Sequence, residues 1–147
     1  MNTKVKPKCF VFGSNLLGKH GAGAAAYAVR NHGAVYGQGF GYSSVTRQLR
    51  DMSPPYLAAH CFALPTKDEN IKTLPLERVR GYVNAFIEFA AASPHIDFQV
   101  TQVGCGLAGF KADDIAPMFA SGCFENVWFD EAWKPYLPAN AKFWGTA

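Results

Sequence analysis

The chain has 147 residues, with 14 Lys plus Arg against 11 Asp plus Glu for a net charge of +3. That length suits one domain over residues 1–147, and no linker composition divides it. Hydrophobic residues at 49% and aromatics at 14% can fill a core, which excludes a disordered tail or a collagen-like fibre; the scattered Lys and Arg supply no concentrated basic face for DNA.

No stretch approaches the ~18 uninterrupted apolar residues of a membrane span. Lys4, Lys6 and Lys8 precede an apolar run, but Gly13-Ser14-Asn15 ends it after four residues, too few for a signal peptide. A soluble, cytoplasmic protein is the expectation. Cys9, Cys61, Cys105 and Cys123 form no C-x-x-C pair, so free thiols are expected rather than a disulfide framework or a zinc ribbon. No metal or cofactor is implied.

Cys9 to Phe12 reads as a buried strand of a parallel sheet. Ala24 to Arg30 is a helix that stops at His32-Gly33, where glycine can take the left-handed C-terminal position. Gly33, Gly37, Gly39 and Gly41 alternate with Tyr36, Phe40 and Tyr42, which suits a loop that approaches a ligand. Ser43 to Tyr56 has no clear period and reads as an excursion from the core. His60 to Leu64 is a second strand, closed by Pro65. Leu76, Val79, Val83, Phe86, Ile87 and Ala90 recur at three and four residues, the stripe of a helix between Pro75 and Pro94. Phe98 to Val103 is a third strand, followed by a helix through Ile115, Met118 and Phe119, and Asn126 to Phe129 is a fourth. Strands alternating with helices imply an α/β protein, a mostly parallel sheet covered by helices on both faces. Ligands of such sheets sit beyond the carboxyl ends of the strands.

Two of these strands empty into glycine-rich turns that open helices. The first turn runs from Gly13 to Gly23, and its Gly13 to His20 portion nearly spells the phosphate-binding pattern G-x-x-x-x-G-K-[ST]. His20 stands where the magnesium-holding hydroxyl belongs, so a nucleoside-triphosphatase loses its metal. What survives is an anion site, because Gly21, Ala22 and Gly23 expose backbone donors at a helix start that carries no acid. The plain alternative is a tight turn with close helix-to-sheet packing. The second turn, Gly104-Cys105-Gly106-Leu107-Ala108-Gly109, matches G-x-G-x-x-G, and Asp130 ends the next strand as the ribose acid of a dinucleotide site does. Against a Rossmann domain, Asp113 and Asp114 already occupy the start of the following helix. Two such loops on one parallel sheet can pinch a diphosphate that neither holds alone.

Phe12-Gly13-Ser14-Asn15, His20-Gly21-Ala22-Gly23-Ala24-Ala25, Ala63-Leu64-Pro65-Thr66-Lys67-Asp68 and Gly104 to Phe110 together resemble a bacterial and phage group related to macro domains. The resemblance spans roughly residues 8–133. It implies a three-layer α/β/α sandwich that binds ADP-ribose, alone or on an ADP-ribosylated macromolecule, and in some members removes it or a terminal phosphate from it. Nucleic acid enters only as a modified substrate. By resemblance, Asn15 contacts the distal ribose, Gly13, Ser14 and Gly21 to Ala24 belong to the first ligand loop, and Gly104, Cys105, Gly106, Leu107, Ala108, Gly109 and Phe110 to the second. Thr66-Lys67 is similar to terminal ADP-ribose protein glycohydrolases, in which that lysine and a later aspartate are catalytic, but Ala108 stands at the aspartate's place. Asp68 can substitute only if it faces the pocket. Macro domains usually carry an extra strand and an acid for adenine before the first loop, where this chain has only Met1 to Lys8. Adenine is then left to an aromatic such as Tyr36, Phe40 or Phe110.

The candidate catalytic set is therefore Asn15, His20, Lys67 and Asp68, with His20 placed in the anion loop as a phosphate donor or proton shuttle. His60 and Cys61 point to opposite faces of a strand and cannot share a metal. Cys105 reads as a buried thiol. Trp133, Tyr136, Phe143 and Trp144 either cover a sheet edge or form a dimer contact. Function divides between ADP-ribose binding, with or without hydrolase or phosphatase activity, and a Rossmann-type nucleotide module that uses Gly104 to Gly109 with Asp130.

Overall fold

The computed structural model describes residues 6–45 and 59–146. In chain order, β1 (Lys8–Asn15) is followed by α1 (Gly23–Asn31), β2 (Gly41–Val45), β3 (Ala59–Lys67), α2 (Leu76–Ala91) and β4 (Asp97–Val100). Then come α3 (Ala112–Ile115), continued by a 3-10 helix (Ala116–Gly122), β5 (Val127–Asp130), a second 3-10 helix (Glu131–Tyr136) and β6 (Lys142–Gly145). The strands form one six-stranded sheet in the order β2-β3-β1-β4-β5-β6. Every neighbouring pair is parallel except β2 with β3. The mostly parallel α/β architecture expected from the alternation of elements is present, and β1, with both neighbours paired, is buried from Cys9 to Phe12.

The described residues cover the two faces unequally. α2 lays its stripe of Val79, Val83, Phe86 and Ala90 on Val11, Leu64, Phe98 and Val100, and the 3-10 segments add Phe119 and Trp133 over Phe129. Aromatic edges lock this layer, with Phe86 5.3 Å from Phe98 and Phe119 5.7 Å from Phe129. On the other face α1 packs Ala25 and Ala28 against Phe10, Phe12, Cys61 and Ala63. Small residues on α1 let it sit low over β1, but it is short. Gln99, Trp128 and Trp144, which alternate onto this same face from β4, β5 and β6, are only half-buried.

Four sequence expectations are corrected. Gly41–Val45 is not loop but an antiparallel strand, paired from Gly41 opposite Ala63 to Val45 opposite Ala59. β3 does not close at Pro65: β2 ends opposite Ala63, so β3 passes Pro65 as an edge, where a strand tolerates proline. The helix through Ile115 and Phe119 is one α-turn followed by 3-10 helix, with Pro117 at the change. Phe143 and Trp144 do cover a sheet edge, as the outer strand β6 with Phe143 opposite Phe129, but Trp133 is fully buried in the core and covers no edge. Most of the Ser43 to Tyr56 excursion, from residue 46 on, lies outside the described residues. No helix among the described residues is long and apolar enough to cross a membrane.

Candidate functional site

β1 leaves the sheet at an irregularity between Ser14 and Asn15. The Asn15 side chain then closes the turn: Nδ2 donates to the Lys19 carbonyl at 2.8 Å, and Oδ1 accepts from the Lys19 amide at 3.0 Å. The Ser14 hydroxyl donates to the Gly39 carbonyl and the Thr66 hydroxyl to the Ser14 carbonyl at 3.3 Å. Next comes α1, whose N-cap Ala22 makes no side-chain cap and whose first turn holds no acid. The first helical bond runs from the Ala26 amide to the Ala22 carbonyl, so the amides just before it have no helical acceptor. Gly23 takes φ +58, a left-handed backbone that favours glycine, and the side chains here are too small to shield those donors.

The second turn follows β4. The Gly109 amide donates to the Gly106 carbonyl at 3.0 Å and the Phe110 amide to the Gly104 carbonyl at 2.9 Å, which folds Gly104 to Gly109 into a compact loop. A Cβ on Gly13 would lie 3.3 Å from the Gly104 nitrogen, so the ends of β1 and of the β4 segment touch backbone to backbone. The Thr73 hydroxyl reaches across to the Ala108 carbonyl at 2.9 Å and ties the 68–73 turn to this loop.

Both turns wall one cleft of about 1140 Å³. Because β3 and β5 lie on opposite sides of β1 and β4, the cleft has two ends. One is formed by Asn15, Lys67, Ile71, Leu107 and Ala108, the other by Tyr27, Gln99, Gln102, Asp130 and Trp144. Lys19 and Lys67 both line it, and neither ammonium has an ion-pair partner among the described residues. The carboxylate on the wall, Asp130, is fully buried, accepting from Gln102 Nε2 at 3.2 Å and from the Ala132 amide at 2.9 Å. Cys105 lines the cleft half-buried, beside the Trp133 indole, and its burial raises the thiol pKa, which disfavours a thiolate nucleophile.

Of the residues named from the sequence, Gly13, Ser14, Asn15, Gly21, Ala22, Gly23, Ala24, Lys67 and Gly104 through Ala108 line the cleft. Gly109 and Phe110 do not, since Phe110 packs back against Gly104 and the α2-side core. His20 is turned inward, 1% exposed and edge-on to Phe12, with Nε2 3.1 Å from both the Val35 and Gln38 carbonyls. Two carbonyls need a donor there, so His20 fastens the 33–41 segment instead of reaching the cleft. That segment buttresses the first turn from behind, with Gly18 packed on Gly37, and Tyr36 and Phe40 are likewise off the cleft wall. Asp68 is also off it: Oδ1 accepts from the Asn70 and Lys72 amides at 2.8 and 3.0 Å, and the bond from Lys72 foremost holds the carboxyl below its usual pKa. Sequence reasoning missed Lys19, Tyr27, Thr66, Gln102 and Trp144. Thr66 and Lys19 were adjacent to named positions; nothing in the local pattern marks Trp144, which arrives with β6.

No protein-family model and no curated relative matches the chain. Solved structures do. The macrodomain of Mycobacterium tuberculosis DarG aligns over 98% of this chain and 91% of its own, at 15% identity with a TM-score of 0.61. This chain has the macrodomain fold. Thermosipho africanus DarTG, solved in complex with ADP-ribose, aligns at 19% identity and a TM-score of 0.62 over 91% of this chain and 38% of its own. A Bacteroides thetaiotaomicron protein of unknown function aligns at 13% identity and a TM-score of 0.56, covering 86% of this chain and 88% of its own. The macrodomain sheet here gains its outer strand, β6, from the C-terminal side of the chain.

Proposed function

We propose that this macrodomain-fold protein binds ADP-ribose, free or as the terminal group of a modified macromolecule. The observation that carries the reading is the meeting of the two glycine-rich turns: Gly13 abuts Gly104, and the unshielded amides of α1 face the same cleft as the Gly104 to Ala108 loop. A diphosphate fits between a helix start without acids and a loop of small residues, because backbone N–H groups and the positive helix end both favour negative charge. Lys19 and Lys67 add two cations to that wall. The distal ribose then lies toward Asn15 and Lys67, and the adenosine toward Tyr27, Gln102 and Trp144, where aromatic faces and amides can stack on and hydrogen-bond a base. The ADP-ribose bound in the Thermosipho relative supports the same ligand class.

Binding without turnover is the reading we favour. Proton transfer at the distal ribose needs a positioned acid or base beside Lys67. Ala108 has none to give, Asp68 is engaged in its own turn, and Asp130 stands at the opposite end. A Rossmann-type use of Asp130 on a ribose has less support, since both its oxygens already accept hydrogen bonds. Isothermal titration tests the proposal: ADP-ribose should bind in preference to NAD and ATP, and incubation with ADP-ribosylated protein, ADP-ribosylated nucleic acid and ADP-ribose 1″-phosphate should release nothing. Equal affinity for all three nucleotides would refute the ligand assignment, and release in any assay would refute the absence of turnover.

A further inference from the structure

We propose that the cleft continues down the open half of the sheet into a second nucleotide subsite, which takes a nucleotide joined to the adenosine side of ADP-ribose. The inference rests on the ADP-ribose reading above.

A second hollow of about 330 Å³ adjoins the cleft and is lined by Lys8, Asp97, Gln99, Trp128 and Trp144, with Phe98 and Phe143 behind. Gln99 and Trp144 belong to both hollows. The second reaches Asp97, the first residue of β4, which is three residues and so about 10 Å below the carboxyl end of that strand. Ligands of parallel sheets ordinarily stop at those carboxyl ends because helices fill the faces below. Here α1 lies against β1 and leaves Gln99, Trp128 and Trp144 half-buried, so no element among the described residues closes off the floor of the cleft at its adenosine end.

The chemistry of this floor is that of a nucleotide unit. Trp144 is held in place by its indole N–H, which donates to the Val100 carbonyl at 2.8 Å. Trp128 offers a second indole, with the Lys142 ammonium 4.8 Å from its ring centroid. Indoles take bases on their faces and an unpaired ammonium takes a phosphate; the Lys142 ammonium is already paired with Glu125 at 3.3 Å. Asp97 is already paired with Lys6 at 3.9 Å, whereas Lys8 has no ion-pair partner among the described residues and stands ready for a phosphate. The Gln99 side-chain amide, without a hydrogen-bond partner among the described residues, presents both a donor and an acceptor to a base edge. The walls shared by the two hollows lie at the adenosine end, and Lys67 lies at the other. The occupant therefore extends the ligand from its adenosine ribose, not from its distal ribose.

The test compares ADP-ribose with its dimer, two units joined through the adenosine ribose of one and the distal ribose of the other, by titration on the whole chain. The dimer should bind about tenfold more tightly, in the range that stacking of one base on an aromatic side chain supplies. Trp128→Ala and, separately, the surface change Lys8→Glu should each remove most of that gain and leave ADP-ribose affinity unchanged. Equal affinities of monomer and dimer, or a gain that survives both substitutions, would overturn the inference alone. A short single-stranded DNA that competes as well as the dimer would overturn it too, by assigning the floor to bare nucleic acid. A chain that binds neither ADP-ribose nor the dimer would overturn the functional reading along with it.

Discussion

Gly39 lies so close to the Asn15 carbonyl that no side chain fits between them: a Cβ on Gly39 would fall inside contact distance of that oxygen and 2.9 Å from the Leu16 Cα. The 33–41 segment thus fixes the first glycine-rich turn by contact of backbone with backbone. Gly39→Ala should push the turn away from the sheet, at a cost of about 1–3 kcal/mol, typical of overpacking. Thermal denaturation should show a Tm lower by roughly 4 °C or more. An unchanged Tm would mean that the two segments are not seated as described.

Gly21 is the converse case, since a Cβ there meets nothing within 4 Å and opens toward the cleft. Gly21→Asp places a carboxylate at the start of α1, which the helix tolerates or welcomes. The same charge opposes a diphosphate. Stability should hold or rise slightly while ADP-ribose affinity falls at least about tenfold, a change of ~1.4 kcal/mol. Retained affinity would remove α1 from the binding site.

Ala108→Asp tests why the cleft is read as non-catalytic. Ala108 and Lys67 line the same end, so the substitution returns a carboxylate to the neighbourhood of the lysine. Release of ADP-ribose from a modified protein should appear in this variant, be absent from the parent, and vanish again when Lys67→Ala is added. A parent that turns over as fast as the variant would overturn the argument.

His32 stacks on Phe10 with ring centroids 4.2 Å apart, and burial lowers its pKa from 6.5 to about 4. As pH falls from about 6.5 toward 4, the unfolded chain takes up a proton that the folded one refuses, so the unfolded state gains and stability declines across that window. His60 acts in the same direction, its pKa lowered by burial and by His95. Urea midpoints between pH 7 and pH 4.5 should fall more steeply for the parent than for His32→Asn. Parallel slopes would show that this stack contributes nothing to acid sensitivity.

The elements that sequence reasoning found are those whose own residues carry the pattern. β1 is a run of buried apolar residues, and α2 repeats its apolar positions at three and four. β2 was hidden because Gly41-Tyr42-Ser43-Ser44-Val45 has no alternation to read; β3 makes it a strand by pairing with it. β6 was hidden for a related reason, as its place depends on β5. The same division holds in the cleft. The place of Gly21 to Gly23 and Gly104 to Gly106 on the cleft wall was legible, since a glycine cluster at the end of a strand has a narrow set of uses. The directions of His20 and Asp68 were not, because in tight turns the nearest unpaired backbone groups decide which way a polar side chain points.

The hydrogen bond from the Thr73 hydroxyl to the Ala108 carbonyl joins the 68–73 turn to the second glycine-rich loop, and Ile71 in that turn holds φ +61, uncommon for a β-branched residue. A loop that tightens on a guest would drag its tethered neighbour, so the amides of Asn70 and Lys72, which lie off the cleft wall, become reporters of occupancy that need touch nothing. Their deuterium uptake should slow when ADP-ribose is added, and Thr73→Val, which cuts the tether, should silence that signal while the guest stays bound.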